Sequence, residues 1–237
     1  MILVSVITGA SYKSVDPSVA IDKYQSAISL LCDAGRLMQA AKLSKQVAEL
    51  FENDEGTAEE ADVDTQRRIT LAIENYEQAA ELYGTEQSKS QQSQCLAKVA
   101  ELCSAGLDPP ELIRAAQLYD QLGRQCLETN LLKFNAKGYF LQSVLCHLAN
   151  GDSIGASQAI TRYENLDYTF SEAREGNFAA KLIESVENFD PEGFATVCFE
   201  FDRISKLDPW KTSMLVKVKR SIDGQDGGDD DDEVDLT

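Results

Sequence analysis

Proline and glycine are scarce, at 5 and 14 of 237 residues, and β-branched runs are short, which argues against a chain built from strands and tight turns. Histidine occurs once, as His147, with no second ligand or base at useful spacing, so zinc binding and histidine-based acid–base catalysis lack their minimum parts. No GxxxxGKS/T, GxGxxG, HExxH or GxSxG is present, which removes the nucleotide, zinc-protease and serine-hydrolase readings. The six cysteines show no CxxC and no paired spacing, and read as buried reduced thiols of a cytosolic protein. The only long apolar opening, Met1–Ile7, is too short to span a bilayer and lacks the basic start and apolar length of a signal peptide. The chain is therefore not expected to be an enzyme, to hold a metal or cofactor, to bind nucleic acid or to enter a membrane by itself.

Ala, Leu, Glu and Gln dominate what remains, and they point to an all-α chain. A short signature recurs along it: Ala20-Ile21-x-x-Tyr24, Ala72-Ile73-x-x-Tyr76, Ala115-Ala116-x-x-Tyr119 and Ala159-Ile160-x-x-Tyr163. Positions i, i+1 and i+4 lie within about 100° on a helix, so each copy presents small residues beside one ring, a face that a neighbouring helix can approach closely. Steps of 52, 43 and 44 residues leave room for two helices each, the spacing of a helical-hairpin solenoid. The four tyrosines are expected in the core.

A second recurring helix carries Ala41-Lys42, Ala97-Lys98 and Ala136-Lys137, with each lysine 18, 22 or 18 residues after the preceding signature tyrosine. In a regular stack these fall at related places and form a ladder of positive charge; a merely solvated face is the plainer account. The formal charge of −18 does not contradict a basic face. Residues 52–64 hold seven acids and residues 223–237 hold eight, with no lysine or arginine in either, leaving 25 acids against 22 bases elsewhere.

In order, Asp16-Pro17 starts a helix that Gly35 breaks, and Arg36–Phe51 returns. The acidic segment 52–64 has no apolar periodicity and is expected as a loop. Gln66–Tyr83 and Ser88–Cys103, joined at Gly84, make the next pair; Asp108-Pro109-Pro110 starts a helix to about Cys126, and Asn130–Ala149 returns. Gly151-Asp152 begins the helix of the fourth signature. The array is expected over residues 1–165 and a compact helical end over 166–222, in helices Ser171–Asn188, Pro191–Ser205 and Asp208–Ile222, the last with an i+4 stripe of Trp210, Met214, Val218 and Ile222. Residues 223–237 are an acidic tail whose only apolar side chains are Val234 and Leu236. The run Asp229–Asp232 lacks EF-hand spacing, so a solvated tail or one that docks on a basic partner is expected rather than a calcium site.

The stretches VDPSVAIDKYQSAI, DAGRLMQAAK, AIENYEQAAELY, CLAKVAEL, LLKFNAKGYF, RYENLDYTFSEARE and above all FDRISKLDPWKTSMLVKVK resemble the alpha-type soluble NSF attachment proteins, over roughly residues 12–222. The resemblance implies a TPR-like, twisted sheet of antiparallel helices capped by a globular bundle. It implies an adaptor whose copies wrap a four-helix SNARE bundle of syntaxin-type proteins and present their C-terminal ends to the hexameric ATPase NSF, in the cytoplasm and at membranes through SNAREs. Matching SNARE-facing positions are Lys13, Arg36, Lys42, Leu131 and Leu132; periodicity adds Lys98, Lys133 and Lys137. Asp152 and the tail, with Asp229, Asp230, Asp231, Asp232, Glu233, Asp235 and Leu236, match the NSF-facing end. Where the resemblance implies lysines, this sequence has Ser14 and Gln94, so weaker charge is expected there. The family's first helices and hydrophobic membrane-attachment loop find no match, so direct membrane contact is not expected, and an inhibitory form is the alternative to an activating one. A generic helical-repeat scaffold that binds a peptide in its groove is the rival reading.

Overall fold

The computed structural model describes residue 11 and residues 17–53, 61–129 and 132–225. Among them are ten α-helices, one π-helical turn and no strand: α1 (Pro17–Asp33), α2 (Leu37–Asn53), α3 (Ala61–Thr85), α4 (Lys89–Glu101) with the π turn Leu102–Gly106, α5 (Leu112–Leu127), α6 (Lys133–Ala149), α7 (Ser153–Leu166), α8 (Arg174–Glu187), α9 (Pro191–Ile204) and α10 (Pro209–Gln225). The all-α, TPR-like hairpin reading holds. The chain divides into two compact units, 1–111 and 112–237.

In the first unit each helix packs on its chain neighbours, α1 on α2, α2 on α3 and α3 on α4. The signature dictates how. Ala20, Tyr24, Ala72, Ile73 and Tyr76 are all buried, because alanine lets the helices close up until the ring fills the remaining gap. Gly35 stands at φ +67° after α1, a left-handed residue that closes the helix as the sequence requires.

Two expectations there need correction. The segment 52–64 is not wholly a loop: α2 runs through Glu52 to Asn53 and α3 already begins at Ala61, while 54–60 lie outside the described residues. Glu52 is helical because its carboxylate is held by two partners on the following helices. Nor does Gly84 join α3 to α4. The helix passes through it to Thr85 and turns at Gln87 (φ +56°), since one helical glycine costs only about 1 kcal/mol against alanine and α3 is held along its length by packing.

The second unit is organised around α6, which packs on α5, α7, α8 and α10. That explains its composition: Ala136, Phe140, Leu141, Ser143, Val144, Leu145, Cys146 and Leu148 are buried, leaving little polar face. Phe140 and Tyr163 stack at 4.0 Å between centroids, and Phe170 meets both edge-on at 5.8 and 5.9 Å. The Tyr163 hydroxyl donates to Ser143 Oγ (2.8 Å), which donates to the Ala116 carbonyl (2.9 Å), so the fourth signature tyrosine satisfies its polar end inside the core.

The C-terminal helices follow the sequence closely. Met214, Val218 and Ile222 are buried, and Trp210 lies edge-on to Tyr119 at 5.4 Å. Asp190 and Asp208 cap α9 and α10 by accepting from the Gly193 and Lys211 amides, both at 2.8 Å. The expected helix Ser171–Asn188 begins later, at Arg174. Asp167 instead accepts from the Thr169 amide and hydroxyl, holding a turn that drives Phe170 into the core. Likewise α5 begins at Leu112, past the prolines. One core of buried side chains draws on residues from Leu112 to Ile222.

Candidate functional site

The expected SNARE-facing residues of the first unit sit on α2 and α4. Arg36 is exposed, and its carbonyl accepts from the Gln39 and Ala40 amides at the start of α2. Lys42, six residues on, is exposed as well. Lys98 on α4 is different: its Nζ lies 2.8 Å from Glu52 Oε1 and 3.3 Å from Glu101 Oε2. Burial works to lower the Lys98 pKa, but the hydrogen bond and charge of Glu52, helped by Glu101, outweigh it and the pKa is raised. The other Glu52 oxygen accepts from the Tyr76 hydroxyl at 2.7 Å. Burial, then the Glu52 bond and charge, push the Tyr76 phenol far up, so it remains a donor. Lys98 is thus both a surface cation and the outer end of a three-residue network.

In the second unit Lys133 and Leu132 are exposed at the start of α6, and Phe134 beside them is 74% exposed, with Lys133 Nζ 5.9 Å from its ring centroid. Lys137, one turn further, is half-buried and donates to the Thr169 carbonyl at 3.2 Å. Asp152 caps α7: Oδ1 accepts from the Gly155 amide at 2.8 Å and Oδ2 lies 3.1 Å from His147 Nδ1. The Gly155 amide, with a smaller contribution from His147, holds the Asp152 pKa below the usual aspartate value against the effect of burial. His147 is therefore partnered within a helix turn, as a packed or capped histidine should be. Lys13, Leu131, Asp229, Asp230, Asp231, Asp232, Glu233, Asp235 and Leu236 lie outside the described residues.

Three residues escaped the sequence reading. Glu52 was hidden in an acidic run, and only the approach of α3 and α4 reveals its partners. Lys45 donates to Gln94 Oε1 at 3.3 Å, so at the place where a lysine was expected on α4 the positive charge comes from α2 instead. Phe134, an aromatic beside a lysine in the first turn of a helix, carried only a weak signal in LLKFN. None of the six cysteines forms a disulfide, and burial pushes Cys95 and Cys198 up to about 11, the wrong direction for nucleophiles. Among the described residues no three His, Cys, Asp or Glu side chains stand together as a metal ion requires, and no helix is long and apolar enough to cross a membrane.

A family model described as soluble NSF attachment protein, SNAP, matches residues 6–223. The chain belongs to the soluble NSF attachment protein family. Among similar proteins, the beta-soluble NSF attachment protein of Bos taurus is 37% identical over 223 residues, 94% of this chain and 70% of the relative. The alpha-soluble NSF attachment protein of Homo sapiens is 36% identical over 218 residues, 92% of this chain and 69% of the relative. The vesicular-fusion protein SEC17 of Coprinopsis cinerea is 32% identical over 217 residues, 92% and 70% respectively. Members of the family are adaptors rather than enzymes, in keeping with a chain whose buried polar groups serve packing and caps. The motif FDRISKLDPW, the most specific part of the resemblance, has a structural role here. Asp202 accepts from the Leu207 amide (2.9 Å) and Lys206 Nζ (2.6 Å) to fix the α9–α10 corner, Asp208 caps α10, and Trp210 meets Tyr119.

Proposed function

We propose that this chain is an adaptor of vesicle fusion that binds assembled SNARE complexes, recruits NSF and stimulates its ATPase for SNARE disassembly. The observation that carries this reading is the family match over residues 6–223, joined by relatives named for NSF attachment and vesicular fusion. The surface chemistry supports it. Arg36, Lys42 and Lys133 present exposed cations, and Leu132 and Phe134 add apolar area beside one of them, a combination suited to an acidic helical bundle with apolar seams. Lys13, Lys98, Leu131 and Lys137 are proposed as further SNARE-facing residues, and Asp152 with the acidic tail as NSF-facing ones. Localisation is proposed to be cytoplasmic, at membranes through the SNAREs.

The generic peptide scaffold has one observation in its favour, an open polar groove of about 400 Å³ in the first unit between α1 and α3, lined by Gln25, Ser29, Asp33, Asn75 and Gln78. A pull-down decides between the two. NSF should be retained on an immobilised SNARE complex only when this chain is present; retention independent of the chain, or none with it, rejects the adaptor reading.

A further inference from the structure

Helices α8 and α9 leave an open groove of about 170 Å³ between them. Its floor is apolar: Phe178 stacks on Phe201 at 4.0 Å, with Val197 and Ile204 beside them, and Ile204 is 70% exposed. Its rim is basic, with Arg174 and Lys181, and the one acid there, Glu200, is already paired to Lys181 at 3.5 Å. Small-molecule sites run to about 300–1,000 Å³, so this groove suits one or two side chains of a peptide.

The chain carries a segment of matching chemistry. Residues 226–237 follow α10 and read DGGDDDDEVDLT, with seven acids and the two apolar side chains Val234 and Leu236 near the end. Twelve residues span up to about 40 Å, whereas a unit of the size of 112–237 has a radius of gyration of only ~14 Å. The starting point is close, because α9 and α10 pack together and the Lys219 ammonium, in the last two turns of α10, acts on Cys198 of α9.

We propose that the C-terminal segment docks back on its own chain, seating Val234 or Leu236 on the Phe178–Phe201–Ile204 floor while its carboxylates meet Arg174 and Lys181. The Lys181–Glu200 bridge does not stand in the way. Both side chains are more than half exposed, and such pairs contribute about 0–1 kcal/mol, so a tail carboxylate can take Glu200's place. A tail held there is withheld from other basic surfaces until one of them outcompetes the groove. This goes beyond the adaptor reading and needs no partner.

The test contains neither NSF nor SNAREs, so its failure leaves the adaptor reading intact. Amide hydrogen exchange is followed by mass spectrometry across residues 226–237 in the full chain and in a synthetic peptide of the same sequence. Tethering gives the tail a millimolar effective concentration, so even a weak groove should slow its exchange about threefold or more relative to the peptide. Ile204→Glu, at an exposed position, should return the tail to the peptide rate, and Lys181→Glu should do so in large part, each with an unchanged circular dichroism spectrum. The proposal is overturned by a wild-type tail that exchanges as fast as the peptide, by protection that survives both variants, or by protection lost on tenfold dilution, which would assign the groove to a second copy.

Discussion

The hydroxyl of Tyr76, a residue 1% exposed, donates to the carboxylate of Glu52, whose other oxygen receives Lys98 Nζ at 2.8 Å. One acid therefore links a buried signature tyrosine to a cation at the surface, and the two halves of the link differ in worth.

The Tyr76 half should dominate stability. Glu52→Ala leaves a buried hydroxyl without this acceptor, at a cost of about 1–3 kcal/mol, whereas Glu52→Gln keeps an acceptor and gives up an ion pair worth about 0–1 kcal/mol at this exposure. Urea denaturation of both variants checks the order. Equal losses would mean that the ion pair, not the hydroxyl, carries the energy.

The lysines should not be equivalent in binding an acidic partner. Lys42 is exposed, while Lys98 is held by Glu52 and Lys137 by the Thr169 carbonyl, so Lys42→Glu is the substitution least entangled with folding. It should weaken capture of a SNARE complex several-fold at physiological salt, where the screening length is about 8 Å, and the difference should fade near 1 M, where it is about 3 Å. Unchanged binding in Lys42→Glu and in a Lys42, Lys98 and Lys137 triple glutamate variant removes the basic strip from the interface.

Asp152 has a structural and a proposed functional role that two substitutions separate. Asp152→Ala loses the cap on α7 and should cost about 1 kcal/mol, while Asp152→Asn keeps an acceptor for the Gly155 amide. Because the folded carboxyl titrates below the ordinary value of 3.8, its contribution is fully present above that pH and is lost as the pH falls through the lower folded value. The wild type should therefore lose stability relative to Asp152→Asn below about pH 4. If Asp152 also faces NSF, Asp152→Asn lowers ATPase stimulation by more than its small loss of stability at pH 7 accounts for; full stimulation confines the residue to its cap.

The tail should act on NSF separately from SNARE binding. Acidic residues raise the encounter rate with a basic surface, and one apolar side chain at the tip slows release. Leu236→Ala should leave SNARE capture intact and reduce stimulation of the NSF ATPase. Stimulation equal to wild type would reduce the tail to a solvated appendage.

The sequence alone determined the helical class, the hairpin repeat and the burial of all four signature tyrosines. Those features rest on local spacing: alanine at i, Ile or Ala at i+1 and an aromatic at i+4 share one face of a helix, and Asp208 before Pro209 satisfies a free amide at the start of its helix. What depends on residues far apart in the chain was decided by the tertiary structure. Glu52 read as one acid in a run until α3 and α4 brought Tyr76 and Lys98 to it, across 24 and 46 residues. Lys42 and Lys98 looked alike at equivalent repeat positions, yet only Lys98 faces a carboxylate. Phe134 had the composition of a core residue and stands in solvent because α6, packed on four neighbours further along, leaves its first turn uncovered. Periodicity states which face a residue occupies; whether another helix arrives at that face is a property of the packed chain.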